Sequence, residues 1–196
     1  MDKKIILASK SKIRKKILEQ HDIKCEIQPS YIDEDSVKES LEKLSASPEI
    51  VSKNLAELKS NKISNKFPES FVIGADSVID LEEKVISKPK DRKEALQILK
   101  SLNGKTHYLI SSVCISKNGI MTWNYTDKAA LTMKKMSNEE LELYLSKIRD
   151  EDLFAYNVYQ IEGLGRSLFS KIKGNENTIM GLPVEKIKEY LNQHNE

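Results

Sequence analysis

Ile5, Ile6 and Leu7 form a short apolar run that predicts a buried strand, and the Ser- and Lys-rich stretch behind it suits the start of a helix. Ile13, Ile17 and Leu18 then share one helical face. A second strand is predicted over Phe71 to Ile79, where hydrophobes flank an interrupting Gly74-Ala75-Asp76-Ser77. Asp91 to Leu102 reads as a helix with Ala95, Leu96, Leu99 and Leu102 inward, Asp91 and Glu94 at capping-box spacing and Gly104 at the stop. Tyr108 to Ile115 and Ile120 to Met133 read as two strands joined by an Asn118-Gly119 hairpin turn. Ser137 with Glu140 opens a further helix carrying Leu141, Leu143, Tyr144 and Ile148, and a last helix runs from Pro183 to about Leu191. Helices mixed with a long hairpin predict an α/β or α+β fold around a mixed sheet. The chain reads as a single domain over residues 1–196, with a division into two closely packed lobes expected near residue 105.

Composition narrows the class. The 196 residues are long enough to bury a sizeable core, and 39% hydrophobic with 32% charged residues describes a globular chain with a heavily solvated surface. The 32 basic and 30 acidic residues leave a formal charge of +2, too even for wholesale binding of nucleic acid or an anionic membrane. Any polyanion site must therefore be local. The Met1 to Leu7 segment is too short in hydrophobes for a signal-peptide core, and no transmembrane span appears. Cys25 and Cys114 stand singly, without metal-ligand spacing, which suits a reduced cytoplasmic compartment.

Three clusters place polar residues where a core prefers hydrophobes. In the first, Leu7 to Lys16, a strand runs into a helix start rich in hydroxyls and cations. The free N–H groups there, with Ser9, Ser11 and Arg14, suit a phosphate chain, and an N-capped helix with a solvated basic face accounts for it equally. In the second, Asp76 interrupts an apolar strand, and a buried carboxylate needs a partner; a divalent ion or Lys88 of the nearby Ser87-Lys88-Pro89 would supply it, unless Asp76 only caps a turn. The third is a set of glycine-marked loops at Glu162-Gly163, Gly165, Gly174 and Gly181, suited to close ligand approach or simply to turns. His21, His107 and His194 are too scattered for a zinc site. Neither a phosphate-loop motif nor a Gly-x-Ser-x-Gly or Gly-x-Gly-x-x-Gly motif occurs.

Taken together and in order, these segments resemble the Maf family of nucleotide pyrophosphatases over nearly the whole chain. The resemblance is carried by Leu7-Ala8-Ser9-Lys10-Ser11, Ile32-Asp33-Glu34, Leu55-Ala56-Glu57-Leu58-Lys59, Gly74-Ala75-Asp76 and Lys88-Pro89. Leu102-Asn103-Gly104-Lys105 with His107, and Gly181-Leu182-Pro183, complete it. It implies an α/β fold like that of inosine-triphosphate pyrophosphatases: a mixed twisted sheet with flanking helices, two lobes and a central cleft. It further implies catalytic roles for Asp76 as acid/base, Glu34 and Lys88, with Asp76 and Glu34 holding Mg²⁺ or Mn²⁺. Ser9, Ser11, Lys12, Arg14, Lys59, Ser77 and Glu162 are the implied substrate-binding positions. The activity implied is cleavage of a nucleoside triphosphate between the α and β phosphates to a monophosphate and pyrophosphate, and a homodimer is implied as well. That activity is consistent with the residue types, because a triphosphate wants cations and a divalent metal, and a carboxylate must orient or deprotonate the attacking water.

The departures from the family pattern concern substrate choice. Lys12-Ile13-Arg14 stands where Pro-Arg-Arg is typical, Glu162 where glutamine is frequent, Ser77 in place of threonine and Thr178 in place of asparagine. A carboxylate at 162 only accepts hydrogen bonds, whereas an amide also donates. Two rivals remain at this level: a nucleotide-binding regulator of cell division without essential catalysis, and a phosphatase that removes orthophosphate stepwise.

Overall fold

A computed structural model describes residues 4–194 as a seven-stranded mixed sheet flanked by helices. In chain order the elements are β1 (Ile5–Leu7), α1 (Lys12–Gln20), β2 (Glu26–Ile27), α2 (Glu34–Lys43), α3 (Pro48–Ser64), β3 (Phe71–Leu81), β4 (Lys84–Ile86) and α4 (Arg92–Leu102). There follow β5 (Thr106–Lys117), β6 (Ile120–Met133), α5 (Asn138–Ser146), α6 (Asp150–Tyr156), a 3₁₀ turn (Leu164–Leu168), β7 (Phe169–Lys173), α7 (Glu176–Ile179) and α8 (Val184–Gln193). The sheet order is β2-β1-β3-β5-β6-β7, with β4 on β3. This is the expected mixed α/β arrangement with flanking helices.

Local chemistry explains the ends of these elements. Asn118 and Gly119 both take positive φ, 51° and 76°, as a two-residue hairpin turn requires. Ser137 and Glu140 form the complete capping box. At α4 the box is only half made: Asp91 accepts from Glu94 N at 2.7 Å, but the Glu94 carboxylate reaches back to Lys90 N rather than to Asp91. Leu143, expected inward on α5, is exposed, while Leu141 and Tyr144 are buried.

Strand parity divides the core. Val72 and Val78 of β3 face α3, whereas Phe71, Ile73 and Ala75 join Ile17, Leu18, Leu182 and Ile187 on the opposite face. Further along that second face, Ile79, Leu81, Leu109 and Leu131 pack with α4 and α5. Gly74 sets how closely α3 approaches β3. A Cβ there would lie 2.2 Å from Ala56 O and 2.6 Å from Ser60 N, so only glycine permits the contact.

One edge of β3 is left open in its middle. β1 pairs with it through Ile73, β4 pairs from Ile79 to Leu81, and β5 runs along the other edge. Among the described residues, 74–78 therefore have no strand neighbour on the β1 side, at the carboxyl end of β1, where α/β sheets commonly form ligand crevices.

His107 is buried in the second apolar region, its Nε2 bonded to Tyr159 Oη at 2.8 Å and its Nδ1 without a partner among the described residues. Burial pushes its pKa down to about 4. Because the unfolded chain protonates near the ordinary value and the folded one does not, stability should fall as pH drops from about 6.5 towards 4, by about 3 kcal/mol in all. Denaturant midpoints of the wild type and of His107→Gln, compared at pH 7 and pH 4, check this. The wild type should lose the larger share, and parallel losses would refute the assignment.

Candidate active site

Two carboxylates and a buried lysine meet beside the open edge of β3. Asp33 caps α2, accepting from Ser36 N at 3.1 Å, and so places Glu34 at the first position of that helix. Lys59 projects from α3 and is buried; its Nζ lies 2.7 Å from Asp76 Oδ1 and 2.8 Å from Glu34 Oε1. Ala56 and Ser60, on the face of α3 that also carries Lys59, are the residues pressed against Gly74. The Leu-Ala-x-x-Lys and Gly-Ala-Asp segments are thus two halves of one contact. Burial works against the charge on Glu34, but Lys59, Lys38 and Lys88 outweigh it and hold the carboxyl below the ordinary glutamate range. Ser52 donates to the Asp76 carbonyl at 3.1 Å, a contact with no mark in the sequence beyond its helical spacing from Ala56 and Lys59.

Asp76 sits mid-strand and caps no turn. Its charge partner is Lys59, not Lys88, which corrects the residue-level expectation. Lys88 lies on the exposed loop after β4. Partial desolvation lowers its pKa, with Lys38 and Arg14 acting in the same sense and Glu34 and Asp76 opposing, so it stands in the charge field of the same site. Asp76 Oδ2 is buried and has no hydrogen-bond partner among the described residues.

Arg14 fills the open edge of β3. Its Nη1 donates to Ala75 O at 2.8 Å and to Ser9 Oγ at 3.4 Å, its Nε to Gly181 O at 2.9 Å and its Nη2 to Ser77 Oγ at 3.3 Å. Burial lowers its pKa, and Asp76 and Glu34 oppose that shift. Gly181 has φ +97°, and a Cβ there would come within 3.0 Å of Ser77 Oγ, so glycine lets the last loop close on this guanidinium. Ser11 caps α1, accepting from Arg14 N at 3.3 Å, while its own N–H donates to Ser9 Oγ at 3.2 Å. Lys12 is exposed at the start of the same helix.

A cleft of about 150 Å³ opens beside these groups, lined by Ala8, Ser9, Ser30, Tyr31, Glu34 and Lys59. Glu162 is outside it, exposed in the turn before the 3₁₀ segment. Beside that turn lies a second cavity of about 270 Å³, whose lining includes Gln160, Leu164, Tyr159 and Asn157. Asn157 reaches Ser87 O at 3.5 Å, next to Lys88. Glu34, Lys59, Asp76, Ser9, Arg14 and Ser77 are thus brought together, Lys88 shares their charge field, and Lys12 and Glu162 stand apart.

No group of three or more His, Cys, Asp or Glu suited to a metal ion occurs among the described residues. Glu34 and Asp76, with one buried carboxylate oxygen unpartnered, nevertheless fit an ion of the Mg²⁺ type, which is held by one or two carboxylates and otherwise by substrate oxygens and water.

Paired carboxylates and converging cations at a strand-edge crevice are the chemistry that suits a phosphorylated anion. The chain belongs to the Maf family, whose model, described as "Maf-like protein", matches residues 4–194. A Pelagibacter ubique protein described as a nucleoside triphosphate pyrophosphatase is 71% identical over 191 residues, covering 97% of this chain and 98% of that protein. A Rhizobium etli protein described as a 7-methyl-GTP pyrophosphatase is 39% identical over 184 residues, covering 94% of this chain and 92% of that one. Among solved structures, the Staphylococcus aureus Ham1 protein aligns with 67% of this chain and 72% of its own at a TM-score of 0.45 and 15% identity.

Proposed function

We propose that this protein is a nucleoside triphosphate pyrophosphatase, releasing a nucleoside monophosphate and pyrophosphate. The observation that carries the reading is the Glu34–Lys59–Asp76 constellation, with one Asp76 oxygen buried and uncommitted among the described residues, at the cleft that Glu34 and Lys59 line. Asp76 orients a water and takes its proton as the water oxygen bonds to the α-phosphorus. The bond between that phosphorus and the bridging oxygen then breaks, and pyrophosphate leaves with its negative charge. Lys59 holds Asp76 and Glu34 in place, and Lys88 and Arg14 supply positive field for the phosphate chain. Glu34 and Asp76 would hold a Mg²⁺ or Mn²⁺ ion, which when bound neutralises phosphate charge and polarises the phosphoryl group.

Cytoplasmic location and a homodimer belong to the same proposal. The free thiols of Cys25 and Cys114 support a reducing compartment, and the family resemblance supports the dimer. Among the described residues, no helix is long and apolar enough to cross a membrane.

A panel of canonical, deoxy and modified triphosphates with Mg²⁺ or Mn²⁺, scored for pyrophosphate and for orthophosphate, tests the reading. 7-Methyl-GTP belongs on it because of the Rhizobium etli relative. Pyrophosphate together with monophosphate from a restricted subset is the expected result. Orthophosphate alone, or no product from any nucleotide, would overturn it.

A further inference from the structure

A polar row crosses the sheet between its two largest apolar regions. Ser77 of β3 pairs in register with Ser111 of β5, and Ser111 with Asp127 of β6. Ala75 and Val113 lie on one side of the row, Ile79, Leu109 and Ala129 on the other. Ser111 and Thr178 are fully buried, and a hydroxyl in such a place is costly unless bonded. Each one is bonded, and the direction of every proton is fixed.

The Thr178 carbonyl can only accept, so Ser111 Oγ spends its proton there, at 2.7 Å. Ser111 Oγ must then accept from Ser77 Oγ, at 2.8 Å, which leaves Ser77 only lone pairs to offer Arg14 Nη2. At the far end, Thr178 Oγ1 donates to Asp127 Oδ2, while Asp127 Oδ1 accepts from Lys128 N at 2.9 Å. In this arrangement the Ser77 proton points away from Arg14 and is not offered to a phosphate. Among the described residues, the bonds to Gly181, Ala75, Ser9 and Ser77 occupy every N–H of the guanidinium but one, on Nη2.

We propose that Asp127, Thr178 and Ser111 are positioning residues that act through Ser77 to fix the plane of the Arg14 guanidinium, and with it the one N–H left for a substrate oxygen. The inference rests on the cleft being the site of nucleotide hydrolysis. It gives the Ser77 hydroxyl the task of orienting Arg14 rather than binding substrate. It also ties the segment carrying Thr178 and Gly181 to the start of α1, so both ends of the chain set one cation.

The test is a double-mutant cycle read in kcat and KM. Ser111→Ala should lower kcat/KM about tenfold, and Thr178→Val, which removes only the hydroxyl seated on Asp127, by a smaller factor in the same direction. In the wild-type background Ser111→Thr, which keeps the hydroxyl, should hold kcat/KM near the wild-type value, whereas in an Arg14→Lys enzyme, which lacks the fork that the relay orients, Ser111→Ala should cost less than about twofold more. If Arg14→Lys fails to fold, Ser77→Ala serves as the background, because it cuts the relay one step nearer the cleft. Equal losses from Ser111→Ala in both backgrounds, or no loss in the wild type, would overturn the relay while leaving the pyrophosphatase reading intact. A wild-type protein that releases pyrophosphate from no nucleotide would overturn both.

Discussion

Asp76→Asn should reduce turnover about 10³-fold while nucleotide affinity stays within a few-fold of the wild type. The substitution keeps the shape of the side chain, and the amide oxygen still accepts the Lys59 ammonium that now sits 2.7 Å from Asp76 Oδ1. What it removes is the basic lone pair on the buried, uncommitted Oδ2. An amide neither takes a proton from water at neutral pH nor adds negative charge to a metal site. Steady-state pyrophosphate release, set beside calorimetric binding of the same nucleotide, separates the two effects. Turnover within tenfold of the wild type would remove Asp76 from the mechanism, and loss of binding in step with turnover would make it a substrate ligand instead.

Lys59→Met should cost about 3–5 kcal/mol of stability, because it strands the buried Asp76 carboxylate without its charge partner while keeping most of the side-chain volume. The same change removes the strongest interaction that favours the charge on Glu34, so burial should push that carboxyl up. The sign of the pH dependence follows. In the wild type the Glu34 pKa is lowered on folding, so its contribution is present above the unfolded glutamate value and fades as pH falls through the folded one. In the variant Lys38 and Lys88 still oppose burial without Lys59, so this contribution shrinks and stability should fall less steeply with acidification than in the wild type. Urea midpoints from pH 7 to pH 4 show both effects. A loss below about 1 kcal/mol at pH 7 would mean that Asp76 is neutralised by something other than Lys59.

The two halves of this site were unequally legible. Asp76 is visible in the sequence because a charge in an apolar strand has no bland explanation except a turn, and β3 passes straight through it. The helix that answers it is not visible from hydropathy. Along α3 the buried positions follow helical spacing, from Val51 and Ser52 through Leu55, Ala56, Lys59 and Ser60 to Ile63 and Ser64, yet half of that stripe is polar. Resemblance supplied Lys59 as a phosphate ligand, whereas the structure shows it bridging Asp76 and Glu34. Ser111 was detectable in principle as a polar break on the buried face of β5, between Leu109 and Val113, but which neighbour it bonds depends on the register with β3 and on where α7 docks.

By itself the sequence determined the local elements: the hairpin at Asn118-Gly119, the cap at Ser137, the strand around Asp76 and the order of segments that marks the family. These depend on residues within a turn or two of one another, where backbone sterics and short hydrogen bonds decide the outcome. Only the tertiary structure decided which charges meet. Lys59 reaches Asp76 because Gly74 has no Cβ to hold α3 away, and Arg14 turns inward because β1 ends at Leu7 and leaves the carbonyl of Ala75 for it to bond. A lysine or arginine on a helix carries no local mark of its partner, since the low-dielectric contact that gives the pair its strength exists only once distant elements have docked.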